Sequence, residues 1–341
     1  MKVCIVTHHP FWMEPLGCGS LIRSRYDYLT TQFEEVDVCY LRRIGTKIKC
    51  PYQGITVDYE GPLTCEEIVQ LSNVINSKRY ALVYFSYYHF YMLAEHLVSK
   101  TICELHDVMH LRSQEFKKFG YDPHIAIDET RELSIIKKFD SVITISLFEE
   151  SYLEKMGVRV FYVPPALTIN SHNNHNRSHI GMLASQAKPN IDGFNFYSEA
   201  FKQIDDLVLA GPISEWVPQS FYESSKAIKL GVLKDLSDYY SKVSISLSPI
   251  RFGAGLKIKV LESLSEGVPV FGTCHSFIGF PQGVEEITIA EDDIENWTLD
   301  NIIQLSSINK AIIGDYVKEN FSLSAMARCF HDAINSAFEA A

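Results

Sequence analysis

Short apolar runs rich in β-branched residues alternate along this chain with longer stretches in which apolar residues recur every three or four positions. The runs are Lys2–Thr7, Val36–Tyr40, Ala81–Phe85, Thr101–Leu105, Ser141–Ile145 and Val158–Val163. Amphipathic stretches between them include Leu21–Phe33, His89–Val98, Ile125–Phe139 and Leu147–Met156. Such alternation predicts strands and helices in turn, and hence a parallel sheet covered on both faces. The pattern then starts again with Ile180–Ala184, Leu207–Ala210, Ala227–Leu230, Val243–Leu247, Val268–Gly272 and Ile287–Ala290. Two doubly wound α/β domains in tandem are therefore expected, in keeping with 341 residues, a length large for one core.

The boundary falls at Val163-Pro-Pro165, where prolines stop the strand and a polar run, Asn170–Ser178, follows. This places an N-terminal domain at 1–165, a C-terminal domain at 166–325 and a final helix at 326–341 that can pack back on the first domain. His172, His175 and His179 fall in or beside the polar run without a cysteine or carboxylate to complete a metal set, so they read as linker.

Composition narrows the function classes. A hydrophobic fraction of 46% and a charged fraction of 21% belong to an ordinary globular protein. The formal net charge of −11 excludes nucleic acid as a general partner, because no basic surplus exists to displace counterions. Residues 1–165 are nearly balanced, with 18 Lys+Arg against 21 Asp+Glu, whereas the rest holds 13 against 21. The first half is thus the one better suited to contact with an anionic membrane or acceptor, with ordinary solvated surface charge as the alternative. The eight cysteines show no Cys-x-x-Cys spacing and read as reduced core thiols of a cytosolic protein. The N-terminal run reads as a strand, too short and too polar afterwards for a signal peptide, so none is expected, and the aromatic stretch Tyr80–Val98 is broken by Ser86, His89, Glu95 and His96, so no membrane span is expected there. The expected location is cytoplasmic, free or at the inner face of a membrane.

The segment with the clearest chemistry runs from Ser248 to Phe271. Around Arg251, Gly253, Ala254, Gly255 and Leu256, two glycines let the backbone approach a ligand closely. A helix starting near Leu256 would aim free N–H groups and its positive dipole end at an anion such as a diphosphate. Lys257 and Lys259 add charge, and Glu262 adds a carboxylate suited to sugar hydroxyls. Lys188, opening a helix after a strand, is a further candidate for the diphosphate. In the first half, Gly17, Gly19, Ser20 and Arg23 follow the first strand, but Ile22 stands where a dinucleotide fingerprint needs its third glycine. His106 and Asp107 follow the fourth run, placed to bind sugar hydroxyls or move a proton. Glu129 and Glu132 read as surface charges. Asp235 reads as the cap of a helix holding Tyr239 and Tyr240, and the backbone of Gly231–Leu233 as a reader of a base edge. Phe11, Trp12, Tyr87, Tyr88, Phe90 and Tyr91 suit sugar stacking or a membrane surface, with core packing as the alternative.

In this order the motifs resemble those of a retaining GT-B glycosyltransferase, similar to glycosyltransferase family 4. The resemblance runs nearly end to end. It comprises Cys18-Gly19-Ser20-x-x-Arg23, His106-Asp107, Ser141–Ser146 and Lys188-Pro-Asn190. It continues through Leu209-Ala-Gly211, Gly231-x-Leu-x-Asp235-Leu and the Pro249–Pro269 block closing with Phe271-Gly-Thr273. It implies two Rossmann-like domains facing a cleft, an N-terminal acceptor side and a C-terminal donor side. It also implies a nucleoside-diphosphate sugar as donor, a glycan or lipid-linked acceptor, and no cofactor or metal; no Asp-x-Asp cluster sits at a strand end. By the same resemblance Glu262 holds the nucleotide ribose, Gly19 faces the diphosphate and His106 lies near the transferred sugar. From the residues themselves, Ser20 joins Gly19 at the diphosphate, Asp107 joins His106 as a catalytic candidate, and Lys257 or Lys259 would stabilise the departing diphosphate. The family's first motif glutamate falls at Ala254, a departure that leaves a non-catalytic nucleotide- or glycan-binding module as the alternative function. An epimerase reading lacks a convincing acid–base pair of carboxylates.

Overall fold

All twelve apolar runs form strands, and among the described residues a thirteenth strand, Gly54–Tyr59, joins them. The computed structural model describes residues 1–13, 17–123, 125–167 and 177–339. The chain divides into two units, one of Met1–His110, Ile125–Ala166 and Leu323–Ala341, the other of Leu111–His124 and Leu167–Ser322. His172 and His175 lie outside the described residues, while His179 opens a strand.

Unit 1 holds β1 (Lys2–Thr7), β2 (Glu35–Arg43), β3 (Gly54–Tyr59), β4 (Leu82–Ser86), β5 (Lys100–Leu105), β6 (Ser141–Thr144) and β7 (Val160–Tyr162). Their order is β3-β2-β1-β4-β5-β6-β7, every pair parallel. The central strands are apolar throughout because helices cover both faces: Val3, Cys4 and Ile5, and Leu82 through Phe85, have no exposed surface. At the edge, β3 alternates between exposed and half-buried residues. The helix Cys18–Gln32 buries Ile22 and Leu29 in this core, and the helix Leu323–Glu339 adds Met326, Phe330, Ala333 and Ala337.

Unit 2 holds β8 (His179–Leu183), β9 (Val208–Ala210), β10 (Ile228–Gly231), β11 (Val243–Ser248), β12 (Val270–Gly272) and β13 (Thr288–Ala290). Their order is β10-β9-β8-β11-β12-β13, again all parallel. Both units are thus doubly wound Rossmann-like sheets whose order reverses beside the first strand, at β1/β4 and at β8/β11. A ligand is bound at such a reversal, beyond the carboxyl ends of the strands.

Three expectations are corrected here. Glu132 is fully buried, not a surface charge: it accepts the backbone N–H groups of Met109 (2.8 Å) and His110 (2.7 Å) and the Tyr88 hydroxyl (2.8 Å). Nor are all the cysteines core thiols, since Cys65 and Cys274 are exposed, while Cys4, Cys39 and Cys103 are buried. Of the aromatic set, Phe11, Tyr87 and Tyr88 are buried, so core packing holds for these three. Asp235 accepts the backbone N–H of Ser237 (2.9 Å), but the N-cap position of the Ser237–Tyr240 helix falls to Leu236, so Asp235 makes a turn contact just outside the helix rather than the expected cap.

Candidate functional site

In unit 2 the chain leaves β11 at Ser248 and enters the helix Ile258–Ser265, two residues beyond the start expected from sequence. Gly253 (φ 131°) and Gly255 (φ 66°) hold the intervening turn in backbone regions closed to side chains. Across the reversal, Pro189 of the helix Lys188–Phe196 lies 3.9 Å from where a Cβ on Gly253 would stand. A cavity of about 180 Å³ opens between the two turns, lined by Ala184, Asn190, Pro249, Lys257 and Lys259 among others. The structure thus brings Lys188, Gly253, Ala254, Gly255, Leu256, Lys257 and Lys259 to one reversal point in unit 2. Leu256 is buried there, and Ala254 half-buried.

The turn is held by its neighbours. The Lys257 ammonium folds back on the carbonyls of Gly255 (2.9 Å) and Ala254 (3.4 Å). From beyond β12, Thr273 donates its hydroxyl to the Ile250 carbonyl, and His275 Nε2 meets the Gly253 carbonyl at 3.0 Å. Burial, then the charge of Lys257, pushes His275 down to about 4, so the ring is neutral and Nε2–H donates. Sequence reading missed His275, although its place just past a strand end is the signal that could have found it. Beneath the turn, a Cβ on Gly193 would stand 1.9 Å from the Pro249 carbonyl oxygen. Gly193→Ala is therefore expected to cost about 2–3 kcal/mol through overpacking, read as a lowered denaturation midpoint. An unchanged midpoint would contradict this close approach.

Lys259 and Glu262 stand three residues apart on one face of the helix, both half-buried. Burial lowers Lys259 to about 8 and raises Glu262 to about 7, each shift opposed by the other's charge. A cation and a carboxylate held away from their ordinary pKa values at a strand reversal are what a site for an anion and hydroxyl groups would show. Arg251 is already engaged: its guanidinium donates to Asp192 (3.0 Å) and lies over the Phe196 ring at 3.7 Å.

Unit 1 places its candidates at its own reversal. Gly17 (φ 61°) begins the helix Cys18–Gln32, Ser20 donates its hydroxyl to the Gly17 carbonyl (2.8 Å), and Gly19 is buried. Arg23 donates to the Phe11 carbonyl (2.8 Å). His8 and His9 follow β1, His89 follows β4, and His106 and Asp107 follow β5. Ring centroids of His8 lie 4.2 Å from His9 and 5.1 Å from His89. Burial, reinforced by the neighbouring imidazoles, pushes His8 to about 3 and His9 to about 4, so both are neutral near pH 7. Tyr87 holds the Asp107 carboxylate (2.9 Å) and carbonyl (2.7 Å) through its hydroxyl. Its backbone (φ 78°, ψ 159°) is a region left almost entirely to glycine, a strain of about 1–3 kcal/mol. Sequence reading placed Tyr87 only in the aromatic set and missed this role.

Comparison with known proteins bears on the fold. Residues 177–307, the larger part of unit 2, match the family model of glycosyl transferases group 1. A search of curated proteins found no match. Among solved structures, sucrose-phosphate synthase from Thermosynechococcus elongatus superposes with a TM-score of 0.72 at 16% identity, covering 100% of both chains. Alr3699/HepE of Anabaena, solved with UDP and glucose, gives 0.68 at 12%, covering 98% of this chain and 100% of that one. A glycosyltransferase from Rickettsia africae gives 0.68 at 14%, covering 99% and 98%. The fold is accordingly that of the GT-B glycosyltransferases. No helix among the described residues is long and apolar enough to cross a membrane.

Proposed function

We propose that this protein transfers a sugar from a nucleoside-diphosphate sugar to an acceptor hydroxyl of a glycan or lipid-linked molecule, with retention at the anomeric carbon. The observation that carries the proposal is the Gly253–Leu256 turn, set at a strand reversal with Lys257, Lys259 and Glu262 beside it. As the glycosidic bond breaks, negative charge grows on the departing diphosphate. Backbone N–H groups of the turn, the start of the Ile258–Ser265 helix and the two lysines supply fixed positive potential for that charge, the kind of preorganised stabilisation that dominates many catalysed reactions.

In this reading Glu262 accepts the ribose hydroxyls and Lys188 adds charge for the diphosphate. Within unit 1, Gly19 and Ser20 are candidates to bind a diphosphate, and His106 with Asp107 to meet a sugar. Retention follows if an oxygen of the leaving diphosphate takes the acceptor's proton on the face from which it departs, so no separate base is needed. The match of residues 177–307 to a glycosyltransferase family model supports the same conclusion, as it falls on the unit that holds the turn.

The test is a thermal-shift panel of UDP-, GDP-, ADP- and dTDP-sugars, followed by NMR of the product's anomeric configuration. Ligand that binds only the folded state raises its stability, so one base series is expected to raise the midpoint and the product to keep the donor's configuration. No shift across the panel would remove the donor assignment, and an inverted product would remove retention.

A further inference from the structure

The residue immediately before the glycine turn is the fully buried Phe252. Its ring stacks on Phe119 (4.7 Å, 22°) and Tyr121 (5.2 Å, 15°) and meets the edge of Phe116 at 5.1 Å. These three partners, each more than 130 residues earlier in the chain, come from the segment Leu111–His124, which belongs to unit 2 although the sequence on either side of it belongs to unit 1.

Local chemistry explains how that segment makes a slot. The helix Met109–Lys118 ends in a Schellman turn. Gly120 (φ 78°) donates to the Lys117 carbonyl (3.0 Å), and Tyr121 donates to the Phe116 carbonyl (2.9 Å). The reversal turns Tyr121 back towards Phe116 and Phe119, so three rings face one position. Polar contacts close the other side: the Tyr121 hydroxyl donates to Asp192 Oδ1 (3.1 Å), and Arg251 donates to Asp192 Oδ2 (3.0 Å). The Arg251 guanidinium lies between the rings of Phe196 (3.7 Å) and Phe119 (5.2 Å). The segment thereby packs on Phe252 directly, and it meets Arg251 through the Phe119 ring and, by way of Asp192, through Tyr121.

A turn of Gly-Ala-Gly has no large side chain with which to hold itself. Its N–H groups can serve an anion without reorganising only if the backbone on each side is immobile. At the entry the anchors are His275, at the Gly253 carbonyl, and the buried Phe252. At the exit Lys257 holds the carbonyls of Ala254 and Gly255. We propose that the Phe116–Tyr121 turn is the positioning element of the diphosphate-binding turn, with Phe252 as its anchor. Phe252, Phe119 and Tyr121 are positioning residues: they act on the ligand through the backbone of Gly253–Gly255. The proposal rests on the donor reading given above.

The experiment compares affinity for a nucleoside with that for its diphosphate, using uridine with UDP, guanosine with GDP and adenosine with ADP on the full chain. The ratio of the two dissociation constants isolates what the diphosphate contributes. In Phe252→Ala that ratio is expected to fall by about tenfold or more, while nucleoside affinity stays within about twofold. Phe119→Ala and Tyr121→Ala empty the slot from its half-buried side and keep Phe252, so they test the idea if Phe252→Ala does not fold; the ratio is expected to fall in both. A ratio unchanged in the folded variants, or equal losses for nucleoside and diphosphate, overturns the positioning role and leaves a packing role alone. Absence of diphosphate binding to the wild-type protein overturns the donor reading, and the proposal with it.

Discussion

Arg25→Met is expected to destabilise the protein by about 3–5 kcal/mol, because it leaves a buried carboxylate without its cation. Arg25 and Glu104 have no exposed side-chain surface. The guanidinium donates to Glu104 Oε1 through Nη2 (2.9 Å) and Nε (3.2 Å), and to the carbonyls of Val163 (2.9 Å) and Pro164 (3.0 Å). The Tyr84 hydroxyl donates to the other carboxylate oxygen, and the Phe330 ring lies 5.6 Å from the guanidinium carbon. One ion pair therefore joins the helix after β1, strands β4 and β5, the end of β7 and the C-terminal helix. Denaturant titration checks the size of the loss. Adding Glu104→Gln to Arg25→Met should recover part of it, since the uncompensated charge is then gone. A single variant within about 1 kcal/mol of wild type would show that the network is not what holds these elements together.

Glu262→Gln should have opposite effects on binding and on stability. Losing a charge-assisted hydrogen bond to the ribose should weaken nucleoside-diphosphate binding about 10–100-fold. Stability should rise, and the sign follows from linkage. Glu262 has a folded value of about 7 against an ordinary 4.5, so the folded state holds its proton more tightly. Its ionisation therefore removes stability as pH climbs from 4.5 to 7, and the full penalty stands above pH 7. Glutamine carries no such penalty. Part of the gain is lost because Lys259, already lowered to about 8, loses the opposing charge that helps keep it protonated. A net gain of about 1–2 kcal/mol near pH 7.5 is expected, vanishing near pH 4.5. Calorimetric titration with the diphosphate and denaturation at the two pH values check both halves. A stability gain coupled to a loss of affinity marks a group kept for a ligand rather than for the fold. Equal stability at the two pH values would refute the electrostatic account.

Much of the fold is legible in the residues. Among the described residues the apolar runs mark twelve of thirteen strands, because a parallel strand buried on both faces must be apolar along its length. Gly54–Tyr59 escapes that signal as an edge strand whose residues alternate towards solvent. The helix Cys65–Ser77 has a legible start, since Thr64 and Glu67 form a reciprocal capping box, a sign the periodicity reading passed over. The glycine turn and Glu262 are equally visible, as glycine spacing and helix phase are local properties.

Charge state and partnership are not local, and there the sequence misleads. Glu132 sits on an amphipathic helix with the spacing of a surface residue, yet the Tyr88 hydroxyl and the start of the Met109–Lys118 helix close over it. Arg251 beside the glycine turn gives no hint in the sequence of its partners, Asp192 and two aromatic rings.

By itself, the sequence determined two doubly wound units, the order of their strands along the chain, and a glycine turn leading into a helix that bears two lysines and a glutamate. Periodicity and glycine placement are enough for that. Only the tertiary structure decided that Lys259 and Glu262 would titrate near neutrality, that Tyr87 would hold Asp107, and that Phe252 would lie in a slot made more than 130 residues earlier. Desolvation and ring packing depend on which distant segments meet, and neither spacing nor composition records those meetings.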